Sequence, residues 1–195
     1  MYKIHNKFSI TNILIGLYIL VYIANGLFAL PVGNFAVFVQ PVLNGGEYWR
    51  LLTYSFLNVD IISLLFNIYF VYIIGNFVEE FIKPPRYILL YIISTLVAAG
   101  AFIALYYMSG SEGALTGANS FGFGLIGIVV GFGLIYPNRY YANAAKTLAS
   151  NLFIYIVILL LLNPSPFFWI EYFGGFVGGI LSALLFHLFA PDEEW

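Results

Sequence analysis

The sequence predicts an all-α membrane protein built as a bundle of six transmembrane helices. Of its 195 residues, 62% are hydrophobic and 8% are charged, and the mean hydropathy is +0.95. Soluble domains carry about 25% charged residues, so this chain lacks the polar surface that a compact soluble domain requires. A bilayer core of roughly 30 Å needs about 20 apolar residues per helix. Six stretches meet or approach that length, at residues 10–30, 61–78, 87–108, 120–135, 148–162 and 167–189.

The composition also excludes several kinds of site. A net charge of −2 provides no basic surface for nucleic acid. The chain has no cysteine, which excludes disulfides, thiol catalysis and thiolate metal ligands. Its two histidines, His5 and His187, lie at opposite ends of the chain. We therefore expect neither a metal nor a cofactor.

The segments between the spans differ in character. Pro84-Pro85 is expected to break the helix after the second span, and residues 163–166 contain two prolines that do the same after the fifth. The segment 31–60 is longer and too apolar for a solvated linker. We expect it to form an outer interfacial loop of short amphipathic helices, with Tyr48 and Trp49 at headgroup level.

The basic residues predict the orientation of the chain. If the chain crosses six times, six basic residues fall on one side of the membrane and only Arg50 on the other. Positively charged loops remain cytoplasmic, so both termini are predicted to face the cytoplasm. The six residues are Lys3, Lys7, Lys83, Arg86, Arg139 and Lys146.

Polar residues within the spans are the candidates for function, because they are costly in a membrane. Three groups stand out: Asn58, Asp60, Ser63 and Asn67 by the second span, residues 117–124 at the start of the fourth, and residues 171–175 at the start of the sixth. The predicted topology places all three groups in the outer half of the membrane. We expect them to share one cavity that opens outward.

Small residues recur on the fourth and sixth spans. Gly127 and Gly131 are four positions apart on the fourth span, and Gly175 and Gly179 repeat this spacing on the sixth. Such stripes allow two helix backbones to approach closely. We interpret these glycines as helix-packing residues.

The motifs, taken in order, resemble those of the rhomboid intramembrane serine proteases. That family carries a Trp-Arg pair in its first outer loop, here Trp49-Arg50, followed by His-x4-His-x3-Asn on its second span. It continues with Gly-x-Ser-Gly at the head of the fourth span and His-x-Gly-Gly on the sixth. The resemblance implies that residues 1–195 form a single rhomboid-like transmembrane domain with the six-helix plan.

This chain departs from the family at the residues that carry out catalysis. Asn58 and Ser63 stand where the family has its two second-span histidines, and Asn67 keeps the asparagine. The nucleophilic serine falls on Asn119 and the general-base histidine on Tyr172. An amide provides no nucleophilic oxygen, and a phenol with a pKa of about 10 is a poor base near neutral pH. The resemblance therefore implies a member without the catalytic dyad.

Ser120 leaves an alternative open, since it lies next to the position of the nucleophile. It would require a base, and Glu171 beside Tyr172 is the nearby candidate. His187 lies fifteen residues beyond Tyr172, about 22 Å along a helix. We expect Ser120 to serve in packing and Glu171 and Asp60 to be solvated at the outer rim. We expect Arg50 to tie down the outer loop through Glu47 or backbone carbonyls.

The sequence favours a catalytically inactive rhomboid-like protein that binds transmembrane clients or partners as an adaptor. Its partners would be the lipid bilayer and the transmembrane helices of other proteins, entering between the second and fifth spans. One alternative is a structural subunit of a larger membrane complex, and another is a serine protease of unusual chemistry that uses Ser120. The predicted location is an integral, multi-pass position in a membrane, the plasma membrane if the source is prokaryotic.

The topology can be tested with single cysteines introduced at Glu112 and Arg139, because the chain has no native cysteine. An impermeant thiol reagent applied to intact cells should label position 112 and spare position 139, since the positive loops face the cytoplasm. Labelling after membrane permeabilisation serves as the control for both positions. The reverse pattern would overturn the orientation.

Overall fold

The computed structural model describes residues 9–28, 31–58, 60–110, 113–136, 143 and 166–189. The predicted fifth span at 148–162 lies outside these residues. Within them, the structure is helical, and its one β interaction is an isolated antiparallel bridge between Val37 and Leu115. The prediction of an all-α chain is therefore confirmed for the described residues.

Seven helices follow one another along the described chain. Four are long and apolar enough to cross a membrane, and α6 is apolar but shorter. Five of the six predicted spans thus coincide with helices. The helices are α1 (Ile10–Phe28), α2 (Val39–Leu43), α3 (Arg50–Thr53), α4 (Ile61–Glu79), α5 (Pro84–Ser109), α6 (Asn119–Ile135) and α7 (Pro166–Phe189).

Two of these helices differ locally from the prediction. Pro84 and Pro85 are the first residues of α5, which therefore begins three positions before the predicted span at residue 87. Proline suits this position because the first backbone N–H groups of a helix need no intrahelical acceptor. Inside α4, residues Val71–Gly75 form a π-helical turn. The apolar pattern of the second span gave no sign of this turn.

The segment between α1 and α4 packs against the bundle instead of extending from it. It contains the short helices α2 and α3 and two 3₁₀ turns, Val32–Asn34 and Tyr54–Phe56. Val37, Val42 and Tyr54 are buried in one cluster with Phe102 of α5. This cluster fixes the segment on the end of the bundle at which α5 finishes and α6 begins.

The glycines of α6 and α7 lie where the two backbones meet. A Cβ added at Gly127 would overlap the carbonyl oxygen of Phe176, and one at Gly179 would overlap that of Gly124. A Cβ at Gly131 would come within 2.6 Å of Ala183. The absence of side chains at these positions is what allows the two helices to touch.

The same small-residue contact extends to α5. A Cβ at Gly174 would lie 2.6 Å from the Cα of Ala98, and one at Gly178 would lie 2.6 Å from the Cα of Ser94. A Cβ at Gly124 would overlap the Ser94 hydroxyl. Helices α5, α6 and α7 therefore form a tightly packed trio, which we call the small-residue core.

Substitution of Gly179 by alanine should lower the free energy of unfolding by about 1–3 kcal/mol, because the methyl group forces the two backbones apart. The measurement is unfolding in mixed detergent micelles, followed by circular dichroism. Gly100→Ala on α5 is the matched control, since a Cβ added there would have no atom within 4 Å beyond its own stretch of helix. Equal stability of the two variants would contradict the packing role.

Candidate functional site

The start of α6 is capped by a side chain of another helix. Its N-cap residue, Ala118, makes no side-chain capping bond. Instead, the Ser120 backbone N–H donates to Oε1 of Glu171 at 3.2 Å. The side-chain amide of Asn119 donates to Oε2 of the same carboxylate at 3.5 Å. The Glu171 carboxylate thus satisfies donors at the positive end of the α6 dipole.

Glu171 is 6% exposed. The expectation that it is solvated at the outer rim is therefore wrong. Its position on α7 brings the carboxylate to the start of α6, because Gly175, one turn later on α7, packs directly on the Ser120 backbone. The sequence shows that Glu171 and Ser120 belong to different spans, but it does not show that the carboxylate faces the start of α6.

The Ser120 side chain faces the segment between α1 and α4. Its hydroxyl is fully buried and accepts a hydrogen bond from the Tyr54 hydroxyl at 3.0 Å. The same tyrosine lies 3.0 Å from the carbonyl oxygen of Thr95 on α5. Burial, followed by the charge of Glu171, raises the pKa of Tyr54 well above its ordinary value, so Tyr54 remains a donor. Sequence reasoning missed Tyr54, which is one of many tyrosines in the chain.

Tyr172 takes a different direction from its neighbour Glu171. Its ring is buried and packs edge-on against Phe123, with centroids 4.8 Å apart, and also contacts Trp169 at 5.9 Å. Phe123 in turn stacks on Phe70 of α4 at 6.0 Å. One residue turns a helical side chain by about 100°. That rotation separates the aromatic cluster of Tyr172 from the polar contacts of Glu171.

The polar residues beside α4 fall into two sets. The side-chain amide of Asn67 donates to Oδ1 of the Asn58 side chain at 2.8 Å, and both side chains are buried. Asp60 and Ser63 are exposed, and the Asp60 carboxylate caps α4 by accepting from the Ser63 backbone N–H and hydroxyl. These two bonds hold the pKa of Asp60 below its usual value. Asp60 is thus exposed as expected, and the Ser63 hydroxyl is engaged by Asp60.

The sequence-predicted residues are therefore only partly brought together. Asn119 and Ser120 meet at Glu171, whereas Asn58 pairs with Asn67. The hydroxyl of Ser63 donates to Asp60, the N-cap residue of α4. A single cavity uniting all three polar groups remains a prediction.

Two further expectations concern Arg50 and His187. The Arg50 guanidinium is buried, forms an ion pair with Glu47 at 2.5 Å, and donates to the carbonyl oxygens of Gly33 and Ala36. Arg50 thus ties down the outer loop as expected, while Trp49 beside it is exposed. His187 accepts or donates a hydrogen bond at 2.7 Å with Tyr136 at the end of α6. His187 is therefore hydrogen-bonded to Tyr136, fifteen residues along the chain from Tyr172.

The residues present offer no metal site in the described part of the chain. No group of three or more histidine, cysteine, aspartate or glutamate side chains comes together in these ranges. The polar groups that meet at the start of α6 are an amide, hydroxyls and the buried Glu171 carboxyl group. Their chemistry is that of hydrogen bonding and proton exchange.

Comparison with known proteins matches residues 45–189 to the rhomboid domain. The chain is 25% identical over 146 residues to the rhomboid protease GluP of Bacillus subtilis (strain 168), covering 71% of this chain and 26% of that protein. It is 30% identical over 162 residues to RHOMBOID-like protein 6, mitochondrial, of Arabidopsis thaliana, covering 80% of this chain and 49% of that protein. The matched region thus spans a quarter of the first relative and half of the second.

The capping role of Glu171 predicts a graded loss of stability. Glu171→Ala should lower the free energy of unfolding by about 1–3 kcal/mol, because it leaves buried donors at the start of α6 without an acceptor. Glu171→Gln should cost less, since its carbonyl oxygen still accepts. Glu80→Ala removes an exposed carboxylate near the end of α4 and is the control. Equal melting temperatures for all three variants would refute the capping role.

Proposed function

Because this chain belongs to the rhomboid family, we propose that it is a catalytically inactive member that binds transmembrane clients or partners as an adaptor. The observation that carries the proposal is the chemistry at the two positions that match the catalytic dyad. Asn119 stands at the nucleophile position and Tyr172 at the base position. Neither side chain can perform the step that its position performs in the family.

The contacts of these two residues support the proposal. Asn119 directs its side-chain amide to the Glu171 carboxylate, which caps α6 through the Ser120 backbone N–H. Tyr172 packs its ring on Phe123 in an aromatic cluster. A general base must lie within hydrogen-bond reach of the proton that it abstracts. The two residues are thus engaged in packing and capping contacts.

The alternative that uses Ser120 receives less support from the geometry. A nucleophilic serine is activated by a base that accepts the proton of its hydroxyl. Here Glu171 accepts from the backbone N–H of Ser120, while the Ser120 hydroxyl is bonded by Tyr54. Burial raises the pKa of the Tyr54 phenol well above its ordinary value, so Tyr54 stays protonated and is no base for Ser120. The pattern is that of a capped helix end.

The adaptor role requires a surface that another transmembrane helix can contact. Helix α4 exposes Ile62, Leu65 and Tyr69 along one side. These residues lie at i, i+3 and i+7, which is the spacing of one helix face. We propose that this face borders the entrance for a client helix. In this proposal the chain crosses the membrane six times with both termini in the cytoplasm, and it lies in the plasma membrane if the source is prokaryotic.

The purified protein should not cleave transmembrane substrates in detergent or in liposomes, and the appearance of a cut fragment is the readout. The rhomboid protease GluP of Bacillus subtilis, assayed in parallel, is the positive control. The double variant Asn119→Ser, Tyr172→His should also remain inactive, because catalytic groups act as a unit with their surroundings. Cleavage by the unaltered protein that disappears in Ser120→Ala would overturn the proposal in favour of the protease alternative.

The adaptor role is tested by placing a photocrosslinking amino acid at position 65 of this chain and irradiating cells that express it. The control position is Leu20, which is exposed on α1. Crosslinks from position 65 to several membrane proteins in variable amounts support an adaptor. One stoichiometric partner would instead indicate a structural subunit. Identical products from positions 65 and 20 would contradict a binding face on α4.

A further inference from the structure

Two tyrosines of α4 expose their side chains on the outside of the bundle. Tyr69 and Tyr72 are 63% and 56% exposed. They lie three positions apart, which places them next to each other on one side of the helix. The same side carries Ile62 and Leu65, which belong to the face proposed above to border the entrance for a client helix. The two phenols therefore continue that face along α4.

Both phenols lie near the middle of the span. Tyr69 is eight residues from Ile61 and ten from Glu79, which is about 12 and 15 Å at about 1.5 Å per residue. Tyr72 is eleven and seven residues from the same two ends, or about 16 and 10 Å. Helical side chains lean toward the start of their helix, so the Tyr72 ring leans toward the centre of the span. Both hydroxyls are thus placed among lipid tails, away from the headgroups.

Neither hydroxyl has a hydrogen-bond partner within the part of the chain that the structure describes. Tyr72 takes part in one hydrogen bond through its backbone carbonyl, which accepts from the Asn76 side chain at 2.7 Å. Lipid tails offer neither donors nor acceptors. A hydroxyl at this depth is therefore costly unless another protein group bonds it.

The distribution of aromatic residues along α4 is the reverse of the one that lipid contact favours. Phe66 and Phe70 are half-buried, and Phe70 stacks on Phe123 of α6 at 6.0 Å. Phe77 is also half-buried and packs edge-on against Phe81 at 5.4 Å. The purely apolar rings thus pack inside the protein, and the rings that carry a hydroxyl point outward. Phenylalanine would fill the outward positions without an unpaired polar group, so the two hydroxyls need a reason.

Other exposed tyrosines have an ordinary explanation. Tyr107 is 74% exposed two residues before the end of α5 at Ser109, and Tyr48 is exposed in the segment between α1 and α4. Tyrosine is enriched at the membrane surface, where headgroups and water bond its hydroxyl. Tyr107 and Tyr48 fit such an aromatic belt. The depth of Tyr69 and Tyr72 excludes that explanation for them.

We propose that Tyr69 and Tyr72 select client helices that carry an asparagine or glutamine near the middle of their membrane span. This inference rests on the adaptor role proposed above and specifies the chemistry of the client. A phenol both donates and accepts a hydrogen bond, and a side-chain amide does so through separate atoms. One amide can therefore accept from one phenol and donate to the other. Polar side chains that bond across two helices in this way stabilise their association in a membrane.

The selectivity follows from what each partner lacks in lipid. Ile62 and Leu65 provide apolar contact to any client helix. An all-apolar client leaves both phenols unpaired, just as lipid does, and so gains nothing from them. A client with a central amide brings a group that is itself unpaired in lipid, and both sides are satisfied on binding. Specificity here is the difference between these two affinities.

The test uses the full chain with a photocrosslinking amino acid at position 65, in liposomes of phosphatidylethanolamine and phosphatidylglycerol. Three synthetic single-span peptides of leucine and alanine, with lysines at both ends, are compared at high dilution in the lipid. One has asparagine at its centre, one has asparagine in its last turn, and one has none. The central-asparagine peptide should reach half-maximal crosslinking at a peptide-to-lipid ratio about 3- to 30-fold lower than the other two.

The double variant Tyr69→Phe, Tyr72→Phe should lose this preference, because its rings remain but its hydroxyls are gone. It should still crosslink the peptide without asparagine as the parent protein does. Tyr107→Phe is the matched control, since it removes an exposed phenol at a helix end. It should retain the full preference. Circular dichroism and gel filtration establish that the variants are folded.

Equal crosslinking of all three peptides by the protein with native tyrosines would overturn the selection and leave the adaptor role standing. A preference that persists in the folded double variant would also overturn it. No crosslink to any peptide would overturn both this inference and the client-binding face on α4. Mass spectrometry identifies the products. Crosslinks confined to residues 137–165 of the same chain, or to a second copy of it, would assign the phenols to those contacts and overturn the inference.

Discussion

The backbone contact between α6 and α7 is the constraint on which the rest of the site depends. Gly175 packs directly against the backbone of Ser120, and Gly179 packs against that of Gly124. Lipid provides no hydrophobic force to bring helices together, so close approach of small residues must supply the contact. This approach sets the distance from Glu171 to the first turn of α6. A wider spacing would leave both the carboxylate and the helix end without partners.

Carboxylates serve one recurrent purpose in the described part of the chain. Asp60 caps its own helix α4, Glu79 caps α1 from the end of α4, and Glu171 caps α6 from α7. In each case carboxyl oxygens accept hydrogen bonds from N–H groups at the start of a helix, which have no acceptor within that helix. Two of the three caps join separate helices. They therefore fix helix positions as well as helix ends.

The sequence predicted the features that depend on composition and spacing. Long apolar runs located α1, α4, α5 and α7, and the four-residue repeat of glycines located the contact between α6 and α7. Features that depend on rotation and tertiary distance were missed. Glu171 and Tyr172 are adjacent in sequence, yet one faces a helix end and the other an aromatic cluster. The Ser63 hydroxyl was expected in the polar cavity, but it donates to the Asp60 carboxylate three residues earlier.

The remaining misses also have local physical causes. A proline pair is compatible with either the end or the start of a helix, and only the neighbouring chain decides that Pro84 begins α5. Tyr54 could not be distinguished from fifteen other tyrosines until its hydroxyl was seen between Ser120 and Thr95. The π-helical turn in α4 leaves no mark on an apolar pattern that is read at the period of an ordinary helix.

That turn has a consequence for how the chain tolerates changes in length. A π-helical turn holds one more residue than the α-helical turn it replaces, so it offsets the two halves of α4 by about 100°. Upstream of it Asn67 meets Asn58, and downstream Glu79 meets α1, and the offset lets both be satisfied. Loss of one residue from Val71–Gly75 would restore a regular helix but rotate one half away from its partners. The number of residues between Asn67 and Glu79 is thus as constrained as their identities.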